Sequence, residues 1–255
     1  MRLGLIADIR RGFTTGANEF FYLDGDAIRR WGIEARFLKP VIKSPRESKK
    51  IALDGTNLAY RIFFCHSDKA ELAGTGALEY IIWGEKSGYN RRPSCCGRAR
   101  WWEARLEAGN SVFVKEANDS SAVYYNPDGY PVDCRLYCAD LPLTTLVFLN
   151  SAVAAMMYEV YNRAGLGEGA RSLMVNDYAM VPALSEGIAE RAAKALIRAI
   201  ADLPPRKLTS QVTAAWAELD TCIFDILNLS KGERDAVYEA VINLVEARLK
   251  KAESV

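Results

Sequence analysis

The feature that most constrains this chain is a change of hydrophobic period close to residue 183. Before it, aromatic and β-branched residues come in short runs at 3–9, 19–24, 58–66, 111–115 and 122–125, several alternating with period two. Such runs read as strands, because successive side chains of a strand point to opposite faces. Gly12, Gly16, Gly25, Gly88 and the turn signature Asn126-Pro127-Asp128-Gly129 break them. After it, apolar residues recur every three to four positions. Ser185 can cap a helix carrying Ile188, Ala192, Leu196, Ile200 and Leu203, which Pro204-Pro205 stops. A second helix carries Trp216, Leu219, Ile223 and Leu227. Ser230-x-x-Glu233 is a capping box for a third, with Val237, Val241, Leu244 and Val245 on one face. An earlier helix is expected to start at Asn150 or Ser151, to run through Met156, Met157 and Val160, and to end at Gly165-Leu166-Gly167. The expectation is an α+β chain: a β-rich twisted-sheet domain over residues 1–183, then a helical C-terminal module over 184–255.

A chain of 255 residues, half of them hydrophobic and a quarter charged, can bury a sizeable core. It holds no apolar window long enough for a membrane helix, and its charged start is unlike a secretory signal, so a soluble, cytoplasmic protein with no membrane partner is expected. The net charge of +1 conceals a strong asymmetry. Residues 29–50 carry eight basic side chains against two acidic, a local charge of +6, and residues 86–105 carry six against one, a local +5. From 151 onward acids outnumber bases, 14 to 12. A basic stretch of this kind is often only solvated surface, yet two of them flanking aromatic residues can also hold a phosphate backbone. The segments at 43–50 and 84–100 lack periodicity and read as a loop and as an extended, exposed stretch.

Motifs for catalysis are missing. The chain has no phosphate-cradling glycine loop, no dinucleotide fingerprint between strand and helix, no nucleophile elbow and no paired-histidine metal motif. His66 is the single histidine and follows a buried-looking run; its neighbour Cys65 would face the other way on a strand. The Asp24/Asp26 pair reads as a solvated turn. Cys95-Cys96 and Cys134-x-x-x-Cys138 offer four thiols, but neither spacing is the usual zinc knuckle.

One stretch carries a resemblance. Arg11-Gly12-Phe13-Thr14-Thr15-Gly16-Ala17-Asn18-Glu19-Phe20-Phe21-Tyr22-Leu23 resembles the opening of the target-recognition, or specificity, domain of N-6 adenine-specific DNA methyltransferases of type I and type IIG restriction–modification systems. In the same order follow Phe37-Leu38-Lys39-Pro40-Val41, Tyr80 to Glu85, Gly97-Arg98-Ala99-Arg100-Trp101-Trp102, Phe148-Leu149-Asn150-Ser151, and the segments 218–227 and 233–234, each similar to a piece of that family. The family's catalytic motifs are not present. Asn126-Pro127-Asp128-Gly129 has Asp where the second proline belongs and Gly where the aromatic belongs.

The resemblance implies a DNA target-recognition module without catalytic residues of its own. Its partners would be double-stranded DNA and a methyltransferase catalytic domain or subunit, which would carry S-adenosylmethionine; no cofactor is expected in this chain. The residues expected at DNA are Lys39, Lys43, Lys86, Tyr89, Asn90, Arg91, Arg92, Arg98 and Arg100, with Lys39 and Lys43 on phosphates and the arginines on phosphate or guanine edges. For Trp101 and Trp102 a core anchor is expected, at least for the one that faces inward; Thr14, Thr15 and Asn18 are expected to hold the Gly12–Gly16 turn, and the C-terminal helices to form a docking face. The alternatives are a zinc-binding domain and a protein–protein adaptor with no DNA contact.

Overall fold

In a computed structural model of the chain, residues 1–44, 47, 49–162, 169–209 and 212–253 are described. The N-terminal run 3–9 is not a strand. Leu3 is fully buried and Leu5 is 77% exposed, whereas strand residues two apart share a face. Leu3–Leu5 is a single 3-10 turn, and Leu3 N–H donates to Val181 O while Ala183 N–H donates to Met1 O. Strand β1 (Arg10–Arg11) follows, then helix α1 (Asn18–Phe21) and strand β2 (Tyr22–Leu23). The expected strand at 19–24 is thus mostly helix. Phe20 and Phe21 both point into protein, so aromatic richness there signals burial on two sides and not a pleat.

Helix α2 (Gly25–Trp31) is capped by Asp24, whose carboxylate accepts from Ala27 N–H, so the Asp24/Asp26 pair opens a helix and does not sit in a turn. Strands β3 (Leu38–Pro40) and β4 (Arg61–Phe63) join β2 in an antiparallel sheet of order β2-β4-β3. Helix α3 (Gly76–Lys86) is capped by Thr75. The segment 84–100, expected to be extended, instead ends α3, makes a 3-10 turn at Tyr89–Arg91 and forms a short α4 (Pro93–Cys96). Gly88 at φ 81° turns the chain, and Pro93 at the first helical position restarts it. These elements enclose an aromatic core in which Phe20 stacks on Tyr80 at 4.6 Å and also meets Trp101, Phe63 and Tyr89. Trp101 and Trp102 are buried core anchors, as expected.

A second, larger core is built on the antiparallel sheet β1-β9-β5-β8, formed with β5 (Ser111–Val114), β8 (Val123–Tyr125) and β9 (Leu136–Ala139). Register pairs Val112 with Cys138 and Phe113 with Tyr137. Between β5 and β8 lie β6 (Glu116–Ala117) and β7 (Ser120–Ser121). Helix α5 (Leu143–Leu149) is buried against this sheet, α6 (Ala152–Val160) is largely buried beside α5, and Ser151 caps α6 through Ala154 N–H. Helix α6 ends at Val160, capped by Tyr161, earlier than the expected 165–167, which fall outside the described residues. Further on come β10 (Arg171–Ser172), α7 (Val175–Met180), α8 (Glu190–Ala201), β11 (Arg206–Lys207), α9 (Ala214–Ile226) and α10 (Lys231–Glu253). Helix α8 starts later than Ser185 suggests, since Gly187 at φ 102° breaks the path, and Ala193 rather than Ala192 faces inward. The Ser230/Glu233 capping box is formed. Val241 and Val245 of α10 are buried, while Leu244 is 37% exposed.

The fold is mixed α+β with strands of two to four residues. The apolar cluster around the larger sheet draws on Leu3, Ile51 and Val112 as well as Ala193, Ile200, Trp216 and Ile223, so it lies on both sides of residue 183. Two buried ion clusters lock the C-terminal helices in place. Asp220 accepts from both guanidinium ends of Arg206 (2.8 and 2.6 Å), from Tyr238 and from Ala152 N–H. Glu159 meets Arg171 and Arg248. Among the described residues no single helix is long and apolar enough to cross a membrane.

Candidate nucleic-acid interface

Where the two cores meet, loops from both line a groove of about 740 Å³. One wall descends from the opening motif. Gly12 N–H donates to Leu136 O, and Phe13 N–H to Val132 O, which passes β1 so close to residues 132–133 that a Cβ on Gly12 would sit 2.2 Å from Asp133 O. Only glycine fits there. Thr15 and Asn18 then bond each other, and Thr15 Oγ1 accepts from Ala17 N–H. Thr14 is exposed on the wall itself.

The facing wall is residues 97–107. Arg98 lies at its root, donating to Thr15 O at 2.8 Å and to Glu103 O at 3.0 Å with its guanidinium over the Phe21 ring. Arg100 donates to Glu103 and Asp68. Arg11 and Arg105 complete the cationic lining. The acids of the groove are already engaged. Glu103 accepts from Arg100 and from the His66 ring, and Glu107 from Arg10. Burial opposes the Glu103 charge, but the bonds from Arg100 and His66 outweigh it and hold this carboxyl below its ordinary pKa. The groove therefore presents a surplus of positive charge.

Two smaller grooves adjoin the same loops. One of about 630 Å³ is lined by Lys39, Phe64, His66, Arg105, Asp128 and Tyr130 among others. Another, of about 410 Å³, is lined by Lys43, Lys115, Glu116 and Arg135. Lys39 lies over the Phe64 ring at 3.8 Å, and Lys43 over Tyr60 at 3.8 Å and Tyr22 at 4.8 Å, which orients both ammonium groups.

The expected site residues thus divide. Arg98 and Arg100 share the central groove of about 740 Å³, Lys39 lines the one of about 630 Å³ and Lys43 the one of about 410 Å³. Lys86, Tyr89, Asn90, Arg91 and Arg92 line none of these three. Lys86 and Arg91 are exposed at the end of α3 and on the turn after it. Arg92 pairs with Glu19 at 2.7 Å, Tyr89 packs on Phe20 and Trp83, and Asn90 keeps its Oδ1 buried. Arg11, Arg105, Lys115 and Arg135 were not among the expected contacts. Arg11 heads the opening motif and Arg105 ends the second basic run, but nothing in spacing alone separates them from neighbouring arginines.

The zinc alternative finds no set of ligands. Among the described residues no three His, Cys, Asp or Glu side chains are placed to share a metal ion, and Cys65, Cys95 and Cys138 are each buried. Burial pushes the Cys138 thiol up to about 11. The nearest approach to a methyltransferase catalytic motif is also committed elsewhere. The buried Asn126 amide donates to Gly109 O and Tyr130 O and accepts from Tyr130 N–H, so it is not available to hold an adenine.

The structure is similar to the crystal structure of the type IIG restriction endonuclease BpuSI, with a TM-score of 0.69 at 15% sequence identity. The match covers 99% of this chain and 31% of that enzyme, so the chain spans under a third of its length, and the likeness is one of fold. Residues 1–182 match a family described as the C-terminal domain of the type II methyltransferase M.Eco57I. With that match over more than two thirds of its length, the chain belongs to the M.Eco57I C-terminal domain family.

Proposed function

We propose that this chain is the target-recognition part of a restriction–modification adenine methyltransferase, gripping double-stranded DNA so that a catalytic domain or subunit can reach its adenine. The observation that carries this reading is the groove in which four arginines line the walls while both acids are tied to internal partners. A duplex carries a dense row of phosphates, and neutralising them supplies most of the sequence-independent affinity. Arg11 and Arg105 are the phosphate contacts of the central groove. Lys39 and Lys43 extend the track on one side, and Lys86, Arg91 and Arg92 offer a second patch beyond α3, next to Tyr89 and Asn90. Arg98 and Arg100 shape the wall. S-adenosylmethionine belongs to the catalytic partner, and no step of methyl transfer is assigned to residues of this chain.

Binding of the 255-residue chain to a fluorescent duplex, titrated across salt, tests this. About five phosphate contacts should give a log–log slope of roughly −4 to −5, and Arg11→Ala and Arg105→Ala should each lower its magnitude by about one. A flat salt dependence, or no duplex binding, would return the chain to the adaptor reading.

A further inference from the structure

Asn126-Pro127-Asp128-Gly129 has no catalytic part to play, yet the turn is firmly held. Asn126 is fully buried and makes three hydrogen bonds to Gly109 and Tyr130. Gly129 takes the left-handed conformation at φ 63°, and its N–H closes the turn on Asn126 O. The Tyr130 ring lies against Gly55, where a Cβ would come 2.6 Å from the tyrosine hydroxyl. What this scaffold presents is Asp128, exposed at the tip, with the Tyr130 hydroxyl donating to its carboxylate at 2.8 Å.

Asp128 and Tyr130 line the second groove together with Lys39, Phe64 and His66, and Arg105 lines both that groove and the central one. The two grooves share Arg105 on their walls but differ in chemistry. The acids of the central groove face internal cations, whereas Asp128 takes a bond from a neutral phenol. A carboxylate left in this state repels phosphate and attracts an amine. In the major groove only adenine and cytosine present an exocyclic amine, and adenine sets its N7 acceptor beside it, which a carboxylate would face unfavourably. Cytosine N4 has only one acceptor beside it, the O6 of the paired guanine, whereas adenine N6 lies between its own N7 and the thymine O4.

The geometry points to Asp128 as a specificity-determining residue that accepts a hydrogen bond from cytosine N4, in a base-reading groove beside the phosphate-holding one. This rests on the duplex-binding function proposed above. Selection of bound sequences from a randomised duplex library, with the full chain and with Asp128→Asn, tests it. The wild-type chain should enrich a cytosine at one position. The variant should lose that preference by about tenfold or more, or turn it toward adenine, which Asn can pair with through N6 and N7. Its salt slope and its preferences elsewhere should stay as they were. An unchanged selected sequence, with any effect confined to melting temperature, would reduce Asp128 to a turn-holding residue. Salt-dependent binding without any enriched cytosine would overturn base reading while leaving the phosphate-holding function intact. No duplex binding at all would remove both.

Discussion

Arg98 spends its guanidinium on two backbone carbonyls, those of Thr15 and Glu103, 83 and 5 residues away in sequence. It thereby joins the two walls of the central groove. A phosphate contact and a strut of this kind are indistinguishable in sequence, since both appear as an arginine in a basic run. They differ in what removal does. Arg98→Ala should cost about 1–3 kcal/mol of stability, because partly buried carbonyls lose a charged donor, and should weaken duplex affinity with the salt slope nearly unchanged. Arg98→Lys should restore little, since an ammonium lacks the planar fork that spans both carbonyls. Thermal melts and salt titrations of the two variants check this, and a slope reduced by a full unit would make Arg98 a phosphate contact after all. The same distinction explains why a basic run marks out a loop without separating a candidate phosphate contact from a strut. Local charge is written in the chain, but which arginine is already satisfied depends on partners from distant loops.

At the scale of elements, the sequence was most legible where a cap fixes a terminus. The Ser151 cap and the Ser230/Glu233 box appear where the residues place them. Elements of one turn were not legible. Helix α1 and the 84–100 segment take their shape from the aromatic core they help to build, and a run of four residues has no period to read. Gly84, inside α3, shows how far packing overrides propensity. Alanine is the better helix former by about 1 kcal/mol, yet its Cβ would lie 2.6 Å from the Trp101 ring and 2.7 Å from the Phe20 ring. Overpacking of this kind costs roughly 1–3 kcal/mol, so Gly84→Ala should lower the urea midpoint. A raised midpoint would mean that the aromatic cluster yields more easily than its dense contacts indicate.

Across the whole molecule, the larger core ignores the change of period at 183. Ile51 N–H donates to Leu203 O and Ala52 N–H to Ala201 O, tying the first quarter of the chain to the end of α8. A fragment of residues 1–183 would expose the apolar surface that Ala193, Leu196, Ile197 and Ile200 cover, and should show no cooperative thermal transition by circular dichroism. A sharp transition in that fragment would establish 1–183 as a domain that folds by itself. Sequence periodicity located the two textures of the chain, but the sharing of one core between them is a long-range fact that no local pattern records.

Arg105, Asp128, Lys39 and His66 are exposed and stand on short strands, turns and loops above two cores that do not depend on them. Substitutions at such places usually change stability little. On the duplex-binding function proposed above, the side chains that face DNA can be exchanged one at a time while the buried aromatic and aliphatic layers beneath keep the fold.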